Sequence, residues 1–169
     1  QASARAACLL TRARTKPALM ELVQETYDCI KEIEVLLDES LELQQCGSVT
    51  IASSDSSLKG LEALEEAATR FGIPNERISR ERVKELLPWI ESDAVDVALY
   101  MPTDAFIDSA LLCSGYARAA AKLGVELKPN CKVKEIIVEQ DEIRGVSLVN
   151  GERLNAPIVV NAAGSWANL

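Results

Sequence analysis

From Leu19 to Leu41 the apolar positions recur in steps of three and four: Leu19, Leu22, Val23, Thr26, Tyr27, Ile30, Ile33, Leu37 and Leu41. That period predicts a long amphipathic helix running to about Leu43, with Thr15 and Pro17 at its N-cap and first helical position. The opposite face carries Glu21, Glu25, Asp28, Lys31, Glu32, Glu34, Asp38 and Glu39, a solvated side. A second stripe, Leu58, Leu61, Leu64, Ala68 and Phe71, follows the polar turn Ser53 to Ser57 and stops at Gly72. Ser79 opens a short helix with Val83, Leu86 and Leu87 inward and Pro88 at its end, and Trp89 reads as a core anchor. Asp108 caps a fourth helix through Leu111, Leu112, Gly115, Tyr116, Ala119 and Leu123, stopped by Gly124. Its small residues Gly115, Ala119 and Ala120 suit close packing against a neighbour.

Between the helices the pattern is that of strands. Cys46–Ala52 and Val95–Met101 are strand segments joined to their surroundings by polar turns, including Pro102-Thr-Asp-Ala105. Val125 to Leu127, Val133 to Val138, and a hairpin of Ile143–Val149 and Glu152–Leu154 follow. The hairpin turn is Asn150-Gly151, because both residue types tolerate positive φ. Ile158, Val159 and Val160 predict a buried strand that ends in Ala162, Ala163 and Gly164, with Trp166 beside them. That stretch is either a core strand ending in a tight turn or a place where near-naked backbone lets a ligand come close. Residues 1–16 read as a loop, or as the tail of an element that starts upstream.

Composition narrows the function. The chain has 169 residues and a net charge of -8, which argues against non-specific contact with nucleic acid or anionic membrane. No apolar run is long enough for a membrane span. Five cysteines without CxxC spacing predict neither a disulfide framework nor a zinc site, and fit a reducing cytoplasm, packed as small hydrophobes. Histidine is absent, so a Ser-His or Cys-His nucleophile pair within the chain is excluded. Glu62, Glu65 and Glu66 lie on one helix face as solvated surface. No catalytic or metal-binding residue is identified; any redox chemistry would belong to a cofactor or to residues elsewhere.

The order of these segments resembles one family. Ser3-Ala-Arg-Ala-Ala7 is similar to a loop beside the flavin in the FAD-dependent D-amino-acid oxidase family, which includes glycine and sarcosine oxidases and D-amino-acid dehydrogenases. Cys46–Ala52 resembles that family's first substrate-domain strand, and Tyr100-Met-Pro-Thr-Asp-Ala-Phe-Ile-Asp108 its entry into the following helix. Gly124-Val-Glu-Leu127, the Val133 strand, the Asn-Gly hairpin and Val159-Val-Asn-Ala-Ala-Gly-Ser-Trp166 complete the order. Ala4 stands where the family usually has Gly, and no G-x-G-x-x-G fingerprint is present. The resemblance therefore implies an interior fragment of a longer enzyme, without the N-terminal dinucleotide fingerprint or the C-terminal part, and inactive by itself.

What it implies further is an α/β fold (α+β, mixed), a partial FAD-binding lobe plus a partial antiparallel-sheet substrate lobe. Residues 1–45 would form the flavin-side loop and long helix, 46–105 part of the substrate-binding lobe, and 106–169 part of the FAD-binding lobe. The cofactor the resemblance implies is FAD. Ser3, Arg5 and Ala6 would lie along the flavin ring or its ribityl chain, with Arg5 alternatively a solvated loop arginine. Val133 would meet the adenine through its strand backbone, and Ala162, Ala163 and Gly164 would approach the adenosine and pyrophosphate. Trp166 would lie nearer the flavin, or pack as a core or interface tryptophan. The reaction implied is oxidation of the C–N bond of a small-molecule amino acid or secondary amine to an imine. The alternatives are a 2-hydroxy-acid or glycerol-phosphate-type oxidoreductase of the same fold, and a non-catalytic small binding domain. The chain alone would self-associate through exposed strand edges.

Overall fold

The computed structural model describes residues 6–91 and 95–167. The chain folds as two compact units, Gln1–Val125 and Glu126–Leu169. No helix is long and apolar enough to cross a membrane among the described residues.

The first unit begins with a two-residue strand, β1 (Leu9–Leu10), inside the stretch expected to be loop. Helix α1 (Pro17–Leu37) has Pro at its first position as predicted, with Lys16 rather than Thr15 at the N-cap and no side-chain cap. Its buried stripe is Met20, Tyr27, Ile30 and Ile33. Leu22, predicted inward, is exposed instead. The helix also stops short of the predicted end. Asp38 takes the left-handed conformation, φ 57°, and closes the last turn on the carbonyls of Glu34 and Val35. Leu41 then turns into the core on a non-helical backbone, its N–H held by the Glu34 carboxylate at 2.7 Å.

Strand β2 (Ser48–Ala52) and helix α2 (Asp55–Arg70) come next. Ser54 and Ser57 form a reciprocal capping box at the start of α2. Then follow β3 (Glu76–Ile78), helix α3 (Arg80–Leu86), β4 (Val97–Met101), β5 (Ala105–Phe106) and helix α4 (Ser109–Lys122). Ser79 accepts from the Arg82 N–H, and Asp108 from those of Ala110 and Leu111, so both predicted N-caps form. β2, β4 and β3 make an antiparallel sheet with β4 in the middle, and β1 pairs with β5 as Leu9 with Phe106 and Leu10 with Ala105.

Because side chains alternate across β4, the sheet buries both faces. Leu99 and Met101 meet Ala52, Leu61 and Ala68 with Ala13; Ala98 meets Val83 and Val95. A third cluster joins α1 to α4 through Ile30, Ile33, Leu41, Ile107 and Ala119. Gly115 makes this approach possible, since a Cβ there would sit 2.7 Å from Leu41 Cδ2. Lys122 reaches from α4 to the Leu36 carbonyl at 2.7 Å, where the end of α1 presents orphan acceptors.

The second unit is one antiparallel sheet of β6 (Val133–Glu139), β7 (Glu142–Leu148) and β8 (Arg153–Asn155), with β7 central. The β6–β7 turn places Gln140 and Asp141 both at positive φ, 54° and 61°, without a glycine. The Asn150-Gly151 turn forms as predicted in position, but only Gly151 of the two has positive φ, in a wider loop whose Gly151 N–H closes on the Leu148 carbonyl. A 3-10 turn, Gly164–Trp166, ends the described chain.

Several expectations fail for want of a partner. Val125–Leu127 is no strand; Val125 bonds back to the Ala120 carbonyl instead. Ile158–Val160 pairs with no described strand, and Ile158 and Val160 are exposed rather than buried. Trp89 is 77% exposed and anchors no core. Phe71, placed inward by its period, is exposed too, and of the cysteines Cys46, Cys113 and Cys131 face outward rather than packing as hydrophobes.

Candidate functional site

Small side chains make a surface only where nothing packs on them. In the turn after Val160, Ala162, Ala163 and Gly164 are all exposed, and a Cβ built on Gly164 meets nothing within 4 Å. Asn161 orders this turn: its Oδ1 accepts the Ala163 N–H at 3.1 Å, an Asx-type contact. Gly164 has φ +58°, a left-handed position that suits glycine. Trp166 follows in the 3-10 turn, half exposed.

Val133 lies at the start of β6, paired with Leu148. Strand β6 is an edge, so its outer row of N–H and C=O groups has no ladder partner among the described strands. Val133, Ile136 and Val138 are exposed along it. An apolar strand edge with open backbone groups, and an open turn of small side chains, match what an uncharged heterocycle and a closely approaching phosphate-sugar chain require. Val133, Ala162, Ala163, Gly164 and Trp166 all lie within the second unit. Ala6 is exposed and belongs to the first unit. Ser3 and Arg5 lie outside the described residues.

The first unit holds a polar centre that the sequence pattern did not single out. Asp104 is 1% exposed. Its Oδ1 accepts the Arg12 N–H at 2.7 Å and its Oδ2 the Ser48 hydroxyl at 2.6 Å. The Asp104 carbonyl accepts the Gly47 N–H at 2.9 Å. Two donors offset the cost of burying the carboxylate. The Arg12 guanidinium donates to the Thr103 carbonyl at 3.2 Å and lies 3.7 Å from the centre of the Tyr27 ring. The Tyr27 hydroxyl donates to the Leu10 carbonyl at 2.6 Å. Burial pushes the Tyr27 phenol above its ordinary pKa, against the opposing pull of the Arg12 cation. The available signal was a lone Asp in a turn between two apolar strands.

Beside this centre opens a cleft of about 280 Å³, lined by Thr11, Arg14, Ser48, Thr50, Met101 and Asp104 among others. Arg14 is fixed at the cleft by three contacts. Its backbone N–H donates to Met20 Sδ at 2.9 Å, and its guanidinium donates to the Thr11 hydroxyl and to the Ala13 carbonyl. No group of three metal-ligating side chains is assembled among the described residues. The predicted surface carboxylates Glu62 and Glu65 take up Arg77 of β3. Arg77 forms two hydrogen bonds of 2.9 Å and one of 2.5 Å to Glu65, which hold the Glu65 carboxyl below its usual range.

Comparison with known proteins adds an independent line. The profile of the family described as FAD dependent oxidoreductase matches residues 1–169. Mitochondrial sarcosine dehydrogenase of Mus musculus is 31% identical over 168 residues, 95% of this chain and 18% of that protein. The mitochondrial pyruvate dehydrogenase phosphatase regulatory subunit of the same organism is 31% identical over 121 residues, 72% of this chain and 14% of that protein. The crystal structure of L-proline dehydrogenase from P. horikoshii superposes with a TM-score of 0.83 at 26% identity, over 94% of this chain and 41% of that one. The chain thus spans less than a fifth of these two curated relatives and under half of the solved structure.

Proposed function

The chain belongs to the FAD-dependent oxidoreductase family, and from that we propose that the whole protein oxidises the C–N bond of an amino acid or secondary amine to an imine. The observation that carries this reading is the likeness across nearly the whole chain to a sarcosine dehydrogenase and an L-proline dehydrogenase. Sarcosine and proline are both secondary amino acids, and that shared feature supports the proposed substrate class.

FAD, when bound, supplies the electron acceptor that this chain's side chains lack. The chain's own part is binding and orientation. The Val133 edge would meet the adenine by backbone hydrogen bonds, and Ala162, Ala163 and Gly164 would let the ribose and pyrophosphate lie against the backbone. Ala6, with Ser3 and Arg5, would border the flavin end, and Trp166 would lie toward it. The unpaired cysteines support a reducing compartment, with cytoplasm as the proposed location and the mitochondrial matrix as the alternative suggested by the relatives. In isolation, the open β6 edge and the exposed Ile158 and Val160 would promote self-association.

The test is direct. The whole protein, purified and denatured, should release FAD in about equimolar amount, and sarcosine or proline should bleach the bound flavin's visible absorbance without oxygen. A purified protein free of flavin, or one whose flavin no amine reduces, refutes the reading. The relative named as a phosphatase regulatory subunit favours a second reading, flavin-fold binding without turnover. That reading predicts bound flavin that no amine, 2-hydroxy acid or glycerol phosphate reduces.

A further inference from the structure

Cys8 to Arg12 forms a strap clamped along its length. The Ile107 N–H donates to the Cys8 carbonyl at 3.1 Å, Leu9 and Leu10 pair with β5, and the Leu10 carbonyl also accepts from Tyr27. Arg12 is held four ways: its backbone N–H by Asp104, its Nε by the Thr103 carbonyl, its Nη1 by Gln24 Oε1 at 3.3 Å, and the face of its guanidinium by the Tyr27 ring. At the upstream end of the strap Cys8 has φ +62°, a conformation a non-glycine residue adopts only where its surroundings enforce it. The next residues toward the N-terminus are Ala7 and Ala6.

A buried carboxylate is a poor choice for stability alone, since well-packed apolar groups of similar size often do as well or better. What it adds is direction: two fixed acceptors at one point, one for the strap and one for Ser48 of β2. We infer that Asp104 is a positioning residue for the cofactor, fixing the strap so that the chain leaves Cys8 in the direction that brings Ala6 against the flavin. Asp104 touches no reacting atom; it acts through Arg12. The inference rests on the FAD reading above.

The experiment compares the whole protein with its Asp104→Ala, Asp104→Asn and Tyr27→Phe plus Ser48→Ala variants, measuring FAD dissociation constant and the visible spectrum of bound flavin below each melting transition. Asp104→Ala removes both acceptors. It is expected to weaken FAD at least tenfold and to shift the flavin absorption band. Asp104→Asn is expected to stay within about threefold of the parent. Its amide oxygen accepts from Arg12 and its NH2 donates to the Ser48 hydroxyl, which is free to rotate. A purely structural role moves the melting temperature and leaves the affinity and spectrum of the folded fraction unchanged; that result overturns the inference. Should Asp104→Ala fail to fold, the double variant decides. A weakening of threefold or more with a spectral shift supports the inference, and an unchanged constant and spectrum overturn it. Parent protein without FAD overturns the functional reading itself, whereas parent protein with FAD and an insensitive Asp104→Ala overturns only the positioning role.

Discussion

Gly145 is the position where one methyl group should do most damage. It sits in the central strand β7, opposite Ile137 on one side and Asn155 on the other. Its φ is +137°, and a Cβ there would lie 1.9 Å from the Leu154 carbonyl oxygen and 2.9 Å from the Asn155 Cα. These are backbone atoms, so no rotamer change relieves the overlap; β8 must move. Gly145→Ala would carry backbone strain of about 1–2 kcal/mol. It would also lose the Leu148 to Glu152 and Ala156 to Arg144 hydrogen bonds next to it, at about 1 kcal/mol each. The sum is about 3–4 kcal/mol, focused on β7 and β8. Amide hydrogen exchange in peptides covering 142–156 should accelerate roughly a hundredfold or more, since about 1.4 kcal/mol is a factor of ten. Gly60→Ala is the matched control. Gly60 lies in α2 with nothing within 4 Å of its built Cβ, so the same methyl group should stabilise by about 0.5–1 kcal/mol and slow exchange there. If Gly145→Ala leaves exchange in 142–156 within threefold of the parent, the steric reasoning is wrong.

Two further outcomes follow from the core and the surface. Leu41→Ala, at a site 1% exposed between α1 and α4, should cost about 3 kcal/mol by urea denaturation, and a loss under about 1 kcal/mol would mean that Gly115 and Ala119 close over the space. Glu65→Gln tests the Arg77 pair through pH. Hydrogen bonding to Arg77 lowers the folded-state pKa of Glu65, so its contribution is present above the unfolded carboxylate value of about 4.3 and is lost as pH falls through the lower folded value. The urea midpoint of the variant should therefore fall below the parent's at pH 7, converge with it near pH 3, and differ less at high salt; equal midpoints at pH 7 would remove the pair from the account.

The parts of this fold that were legible in sequence are those set by local chemistry. Pro17 starts α1, Ser79 and Asp108 cap α3 and α4, and Gly72 and Gly124 take the positive φ that ends α2 and α4. Glycine-free positive φ was invisible: Asp38 ends α1, and Gln140 and Asp141 make the β6–β7 turn, where the strands on either side impose the backbone. Period also misplaced exposure. Leu22, Phe71 and Trp89 are apolar enough for a core, yet burial depends on a facing element, and none of the described elements covers them. At the candidate site, the small residues Ala162, Ala163 and Gly164 stood out because their smallness is itself the signal. Asp104 did not stand out, because an aspartate in a turn is ordinary until two distant donors close on it.

The amino-acid order thus carried the side-chain caps of α3 and α4, the glycine stops of α2 and α4, the absence of histidine chemistry and the family to which the chain belongs. It could not carry pairings between residues far apart in the chain. Whether Val133 to Glu139 lies at an edge, whether Ile158 to Val160 finds a ladder, and whether Asp104 meets Arg12, 92 residues away, depend on which backbones come within about 3 Å of each other. Such contacts are fixed only when the whole unit has closed, because the free energy that holds them comes from burial shared among all of its elements.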